Sequence, residues 1–244
     1  MQNAENNTAK PNAIESILSI FDSTVGRKYI MGLSGLALVA FIVIHLAGNL
    51  TLFFGAEAFN SYVLKLESLG PLIRLAELGL MAVFVFHIIF AFSVTSQNRA
   101  ARKSRYAVKG NAGKPSRKTM ASQSMIYTGL VLLVFLVAHV WMFRFQTRVN
   151  PEQVIVHGAE VINLYKPVVA AFHNPVIAWA YTLVMLFLGS HLSHGFWSAF
   201  QSLGAYHPRY TPVIHGLGVL LAVLLAVGFL ALPLWVCYMV PAAH

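Results

Sequence analysis

Five uninterrupted apolar runs, each long enough to cross a bilayer, leave this chain very few ways to fold. They lie at about 30–54, 72–96, 124–146, 175–200 and 213–239. A transmembrane helix needs ~20 such residues. Within lipid every backbone N–H and C=O must be paired inside the protein, so only helices and closed barrels span; continuous runs without polar alternation select helices. With 57% hydrophobic and only 10% charged residues, the chain lies outside the range of soluble globular domains. The expectation is an all-α, five-helix integral membrane bundle forming a single domain over residues 1–244. Residues 1–28 are polar and do not read as a secretory signal. Ile14, Ile17, Leu18 and Phe21 recur at helical spacing, so 12–22 is expected to form a short interfacial helix after a polar tail.

Charge orients the spans. Between the second and third runs stand Arg99, Arg102, Lys103, Arg105, Lys109, Lys114, Arg117 and Lys118, with no acid from 97 to 122. Such a segment in a soluble protein would suggest nucleic acid. Between two membrane spans it marks the cytoplasmic side, because basic loops are retained there. Arg27, Lys28 and Arg209 fall on the same side, whereas Glu57, Glu67, Glu152 and Glu160 occupy the opposite loops. The expected topology is a multi-pass protein with a cytoplasmic N-terminus, a C-terminus outside and no nucleic-acid partner. Cys237 is the sole cysteine, which excludes an intrachain disulfide, an iron–sulfur cluster held by this chain alone and covalent c-type haem attachment.

Four histidines sit inside four different spans: His45, His87, His139 and His191. Imidazole in hydrocarbon is costly unless paired or functional, and it is a common ligand of haem iron. Depth sorts the four. His45 lies 17 residues after Lys28 and His139 lies 16 after Gln123, which puts both roughly 25 Å from the cytoplasmic end at the α-helical rise. His87 and His191 each lie 10 residues before a glutamine, Gln97 and Gln201, or roughly 15 Å from the inner surface. An outer pair, His45 with His139, and an inner pair, His87 with His191, follow. Bis-histidine ligation of one b-type haem by each pair is the expected chemistry; an all-imidazole set suits haem iron better than a structural zinc. His194, one turn after His191, competes for the fourth position, where depth favours His191. Helices 1–2 and 3–4 thereby read as two copies of one architectural plan with weak sequence similarity.

Other groups have two readings each. Arg144, five residues after His139, suits either a propionate of the outer haem or an interfacial anchor. Arg74 and Glu77 stand three apart and suit a local ion pair, while Glu77 is also a candidate proton carrier beside a quinone. Gly32, Gly35, Gly48, Gly129, Gly189 and Gly195 allow either a flat macrocycle or a neighbouring helix to approach. Pro71 and Pro175 suit the starts of helices 2 and 4, with Asn174 as a cap.

His45-Leu46 with Gly55-Ala56-Glu57-Ala58-Phe59-Asn60-Ser61, His139-Val140-Trp141 with Arg144, and the run from His191 through His194-Gly195-Phe196-Trp197-Ser198 to Leu203-Gly204 together resemble one family. It is the cytochrome b558 (dihaem cytochrome b) membrane anchor of bacterial succinate dehydrogenases and fumarate reductases. The resemblance runs from about Gly26 to the end of the fifth span. It implies haem ligation by the first histidine of an H-x-x-x-G-x-W pattern, here His191. It further implies two b haems, a flavoprotein and an iron–sulfur protein docked on the cytoplasmic face, a quinone partner (usually menaquinone), and residence in the bacterial cytoplasmic membrane. The rival expectations are the cytochrome b subunit of a formate dehydrogenase or hydrogenase, a proton-coupled transporter whose histidines relay protons, and a haem-free anchor.

Overall fold

The computed structural model describes residues 21–100, 120–149 and 151–241, together with Asn12 and Ser19. The interfacial helix expected at 12–22 and most of the basic 97–122 segment lie outside the described residues. Seven α-helices run in the order α1 (Thr24–Asn49), α2 (Ala56–Glu67), α3 (Pro71–Ala100), α4 (Met120–Val140), α5 (Tyr165–Phe172), α6 (Pro175–Ser202) and α7 (Thr211–Met239). A 3-10 segment, Leu50–Phe54, extends α1, and a π-helical turn, Trp141–Phe145, followed by a 3-10 turn, extends α4. With these extensions the spans are Thr24–Phe54, Pro71–Ala100, Met120–Arg148, Pro175–Ser202 and Thr211–Met239, all apolar enough to cross a membrane. The protein is a multi-pass membrane bundle.

Each span begins or ends a few residues beyond its apolar run. Helical hydrogen bonding continues into the polar flanks, where hydropathy no longer reports it. Ser23 caps α1, its Oγ accepting from Gly26 N at 2.9 Å. Asn174 caps α6 as expected, accepting from Val176 N at 3.0 Å ahead of Pro175. These bonds satisfy donors that a helix start otherwise leaves open.

Packing is uneven, and this unevenness positions the site. The most extensive contact is between α6 and α7; α1 packs on α3 and on α6, and α4 packs on α6, whereas α3 and α4 barely touch. The helices bearing His45, His87, His139 and His191 therefore form an arc, α3–α1–α6–α4, with an open side between its ends. The fifth span, α7, braces the arc from behind, seating against α6 through buried Ala222, Leu225, Leu232 and Val236.

Two loop assemblies close the end of the bundle at which α1 finishes and α3 begins, called the outer end after the orientation expected from charge. The amphipathic stretch expected at 162–172 is shorter than the sequence suggested: α5 starts at Tyr165, and an antiparallel hairpin, β1 (Gln153–Val156) with β2 (Ala159–Ile162), precedes it. His157 and Gly158 turn the hairpin with φ of 50° and 80°, the twist that two-residue hairpin turns prefer. Asn60, fully buried on α2, ties the assemblies together: its Nδ2 donates to Asn163 Oδ1 at 3.1 Å. Its Oδ1 accepts from the Leu164 and Tyr165 backbone N–H groups at 3.2 and 3.3 Å. Leu52, Phe59, Val63, Val156 and Val161 form the apolar core beneath this lid. His173, unremarkable in sequence, has its ring nitrogens 2.9 Å from the Val169 and Val240 carbonyls, fastening α5 to the end of α7.

Candidate haem centre

A cavity of about 2480 Å³ fills the arc. Single small-molecule pockets occupy roughly 300–1,000 Å³, so this space exceeds what one ordinary ligand needs. His45, His87, His139, His191 and His194 all line it. Its outer mouth is edged by Asn49, Tyr62, Arg74, Glu77, Arg144 and Arg148, and its inner mouth by Asn98, Arg99, Gln123, Ser198 and Ser202.

The outer histidines meet across the cavity. The rings of His45 (α1) and His139 (α4) lie edge to face, with centroids 5.9 Å apart. Each is stacked on the phenylalanine one turn earlier, Phe41 at 5.3 Å and Phe135 at 5.5 Å. The spacing of four residues makes that stacking a property of the helix surface. Asn49 Nδ2 approaches the His45 ring at 3.4 Å while donating to the His45 carbonyl at 2.7 Å. His139 Nδ1 is buried with no hydrogen-bond partner. A buried imidazole nitrogen without a partner is costly, and an acceptor or a metal at the ring relieves it.

The inner histidines are held differently. Ser34 Oγ on α1 lies 3.3 Å from His87 Nδ1 on α3, and Thr128 Oγ1 on α4 lies 3.0 Å from His191 Nδ1 on α6. Beside each hydroxyl is a glycine facing the same ring: a Cβ on Gly35 would stand 3.3 Å from His87 Cε1, and one on Gly129 3.5 Å from His191 Cε1. His87 and His191 both line the cavity. His194 has no such cradle. Its Nδ1 is buried and unpartnered, and its ring abuts Trp197, whose other neighbour is His215. His191 thus has a hydroxyl and a glycine beside its ring that His194 lacks.

The glycines divide by neighbour. Gly35 and Gly129 face histidines, whereas Gly32 faces the Ala199 carbonyl at 3.3 Å and Gly189 faces Ala226 Cβ at 3.0 Å. Gly48 accommodates the Tyr62 ring, which a Cβ would meet at 2.5 Å. Burial under this contact holds the Tyr62 hydroxyl above the ordinary phenol range.

One local pairing is corrected. Glu77 does not pair with Arg74; its Oε2 accepts from Arg144 Nη2 at 2.8 Å, joining the poorly packed α3 and α4. An α-helix would place residue 144 about 140° around from residue 139. The π-helical turn at Trp141–Phe145 alters that phase, and both side chains line the cavity. Such turns recur at functional sites.

The Ser34 and Thr128 hydroxyls were missed from sequence, although a signal was present. Gly35, Leu36, Leu38, Phe41, Val43 and His45 recur 94 residues later as Gly129, Leu130, Leu132, Phe135, Val137 and His139, with Ser34 answered by Thr128. Pro71, Ile73, Ala76, Met81, His87, Phe92 and Gln97 recur 104 residues later as Pro175, Ile177, Ala180, Met185, His191, Phe196 and Gln201. The internal similarity is stronger than the shared helix plan alone.

Among the described residues no three metal-ligating His, Cys, Asp or Glu side chains gather. The donors come as pairs of imidazoles. Two axial nitrogens are what the protein contributes to a bis-histidine haem, whose macrocycle supplies the rest, so the residues fit that group.

No family model matches the chain, and no solved structure matches it. Over 56 residues the chain is 43% identical to the succinate dehydrogenase hydrophobic membrane anchor subunit of Halobacterium salinarum. The match covers 23% of this chain and 42% of that protein, so this chain spans less than half the length of the relative it matches. Partial as it is, that similarity agrees in kind with the resemblance drawn from the histidine motifs.

Proposed function

We propose that this chain is the dihaem membrane anchor of a succinate:quinone oxidoreductase, joining an iron–sulfur subunit on the cytoplasmic face to menaquinone in the bilayer. The observation that carries this reading is the placement of four histidines, one per helix of the arc, around a single large cavity. His45 and His139 would hold the outer haem and His87 and His191 the inner one. Bound in this way, haem supplies reversible one-electron redox chemistry. Arg144, at the outer mouth with Arg74 and Arg148, would hold carboxylates of the outer group by charge-assisted hydrogen bonds. The apolar walls exclude water, and α7 keeps the arc closed on the lipid side opposite its opening.

The basic residues near Arg27 and Arg99 support a cytoplasmic inner mouth, with the N-terminus inside and the C-terminus outside; the membrane of this reading is the bacterial inner membrane. There the flavoprotein and iron–sulfur partners would dock. Succinate itself would be handled by those partners. Glu77 is the residue placed to exchange a proton with quinone at the outer mouth.

Purification of the complex from detergent-solubilised membranes tests the proposal. Two b-type haems per chain in a reduced-minus-oxidised spectrum, with a flavoprotein and an iron–sulfur protein co-purifying, are expected. Fewer than two haems, or a formate- or hydrogen-oxidising partner, overturns it.

A further inference from the structure

The inner histidines are gripped by one device used twice. Among the described residues only five polar side chains are buried, and two of them are Ser34 and Thr128. Each has its single hydroxyl proton already engaged. Ser34 Oγ donates to the Met31 carbonyl at 3.1 Å, and Thr128 Oγ1 to the Ser124 and Met125 carbonyls at 3.2 and 3.1 Å. A hydroxyl has one donor and two acceptor lone pairs. With that proton so engaged, lone pairs are left to meet His87 Nδ1 and His191 Nδ1, an arrangement that favours the imidazole tautomer with its proton on that nitrogen. The Nε2 lone pair is left for a metal.

The glycines complete the cradle. Gly35 and Gly129, each next to its hydroxyl, let the ring lie against the helix backbone. Their Cβ positions would fall 3.3 and 3.5 Å from the ring. The outer pair lacks this arrangement: Asn49 brings a donor, its Nδ2, to His45, and His139 Nδ1 has no partner.

We infer that Ser34 and Thr128 are positioning residues for the inner centre: each accepts the Nδ1–H of the inner histidine opposite it, fixing the ring's orientation and presenting Nε2 to iron. The inference rests on the dihaem reading. A ligand imidazole that donates its distal N–H to an acceptor is more basic toward the metal, which favours the oxidised state. Loss of the acceptor then moves the midpoint potential upward.

The experiment is redox titration and low-temperature EPR of the purified complex carrying Ser34→Ala or Thr128→Val, beside the conservative Ser34→Thr and Thr128→Ser. The alanine and valine variants should raise the potential of the inner haem and shift its low-spin signal, leaving the outer haem unchanged, and the conservative variants should behave as wild type. Thr128→Val keeps the side-chain shape, so packing is preserved and haem content per chain checks assembly. Two intact haems with neither potential moved, or a shift confined to the outer haem, overturns the inference while leaving the dihaem reading standing. A wild-type complex without haem overturns both.

Discussion

At the scale of single residues, the site depends on side chains that are small or missing. Gly35 contributes nothing but space, and the space has one occupant. A methyl there lands 3.3 Å from a His87 ring that Ser34 already holds at 3.3 Å, so the ring must yield. Gly79 lies on α3 with nothing within 4 Å of its Cβ position. Helix propensity favours alanine at both sites by about 0.5–1 kcal/mol, so any difference between them reports the cradle. Gly35→Ala should lower inner-haem occupancy while sparing the outer haem; Gly79→Ala should keep both at wild-type levels. Haem content by pyridine haemochrome with EPR to assign the two centres decides this. Gly48→Ala tests a different contact, since its methyl would meet the Tyr62 ring at 2.5 Å. Overpacking of that kind costs typically about 1–3 kcal/mol, and a lowered thermal midpoint with intact inner-haem spectrum is the expected result.

At the scale of elements, the bonds that matter join segments far apart in sequence, and this is where sequence reading stopped. Hydropathy exposed the five spans because each must solve the same solvation problem alone. It could not expose the Glu77–Arg144 pair, whose members are 67 residues apart; the local Arg74 was the partner that spacing offered. The hairpin at Gln153–Ile162 escaped for another reason. Its strands are four residues long, and its turn is His-Gly rather than the Asn-Gly that would have announced it. Because Glu77–Arg144 ties two helices that otherwise barely touch, removing its charge should loosen the outer mouth. Exposed pairs are worth about 0–1 kcal/mol, so Glu77→Gln should lower the unfolding midpoint only modestly. The exchanged pair Glu77→Arg with Arg144→Glu should recover it. If Glu77 also carries protons, quinone turnover falls in Glu77→Gln while haem content stays intact; unchanged turnover there would retire the proton role. A second element-level bond is pH-sensitive. The Lys166 ammonium, 2.7 Å away, holds the Glu152 carboxyl below the ordinary range and ties the hairpin to α5. A depressed carboxylate contributes its stabilisation above the unfolded pKa and loses it as pH falls through the folded value. The clasp should therefore be intact at neutral pH and open as pH falls through a folded value below the usual carboxylate range. Hydrogen exchange of the hairpin amides should accelerate across that window, and in Glu152→Gln should be fast already at neutral pH.

At the scale of the molecule, two similar helix pairs, α1–α3 and α4–α6, face each other across one cavity while α7 stands behind them. Each pair carries one outer and one inner histidine, so neither pair can complete a bis-histidine centre from its own two residues at matched depth. That arrangement was legible in sequence as far as counting residues from the membrane surface allowed. Depth gave the pairs; what it could not give was the lateral arc that brings α1 to α4 and α3 to α6 across open space. The arc makes a definite statement about loss of function. His45→Ala and His139→Ala should share one phenotype, a missing outer haem with the inner spectrum retained. His87→Ala and His191→Ala should share the other, and His194→Ala should retain both haems. Low-temperature spectra of the five variants sort them. A His194 variant lacking the inner haem, or any variant falling in the opposite class, would mean that the helices close around the cavity in a different order, and the electron path proposed across the membrane would have to be redrawn with it.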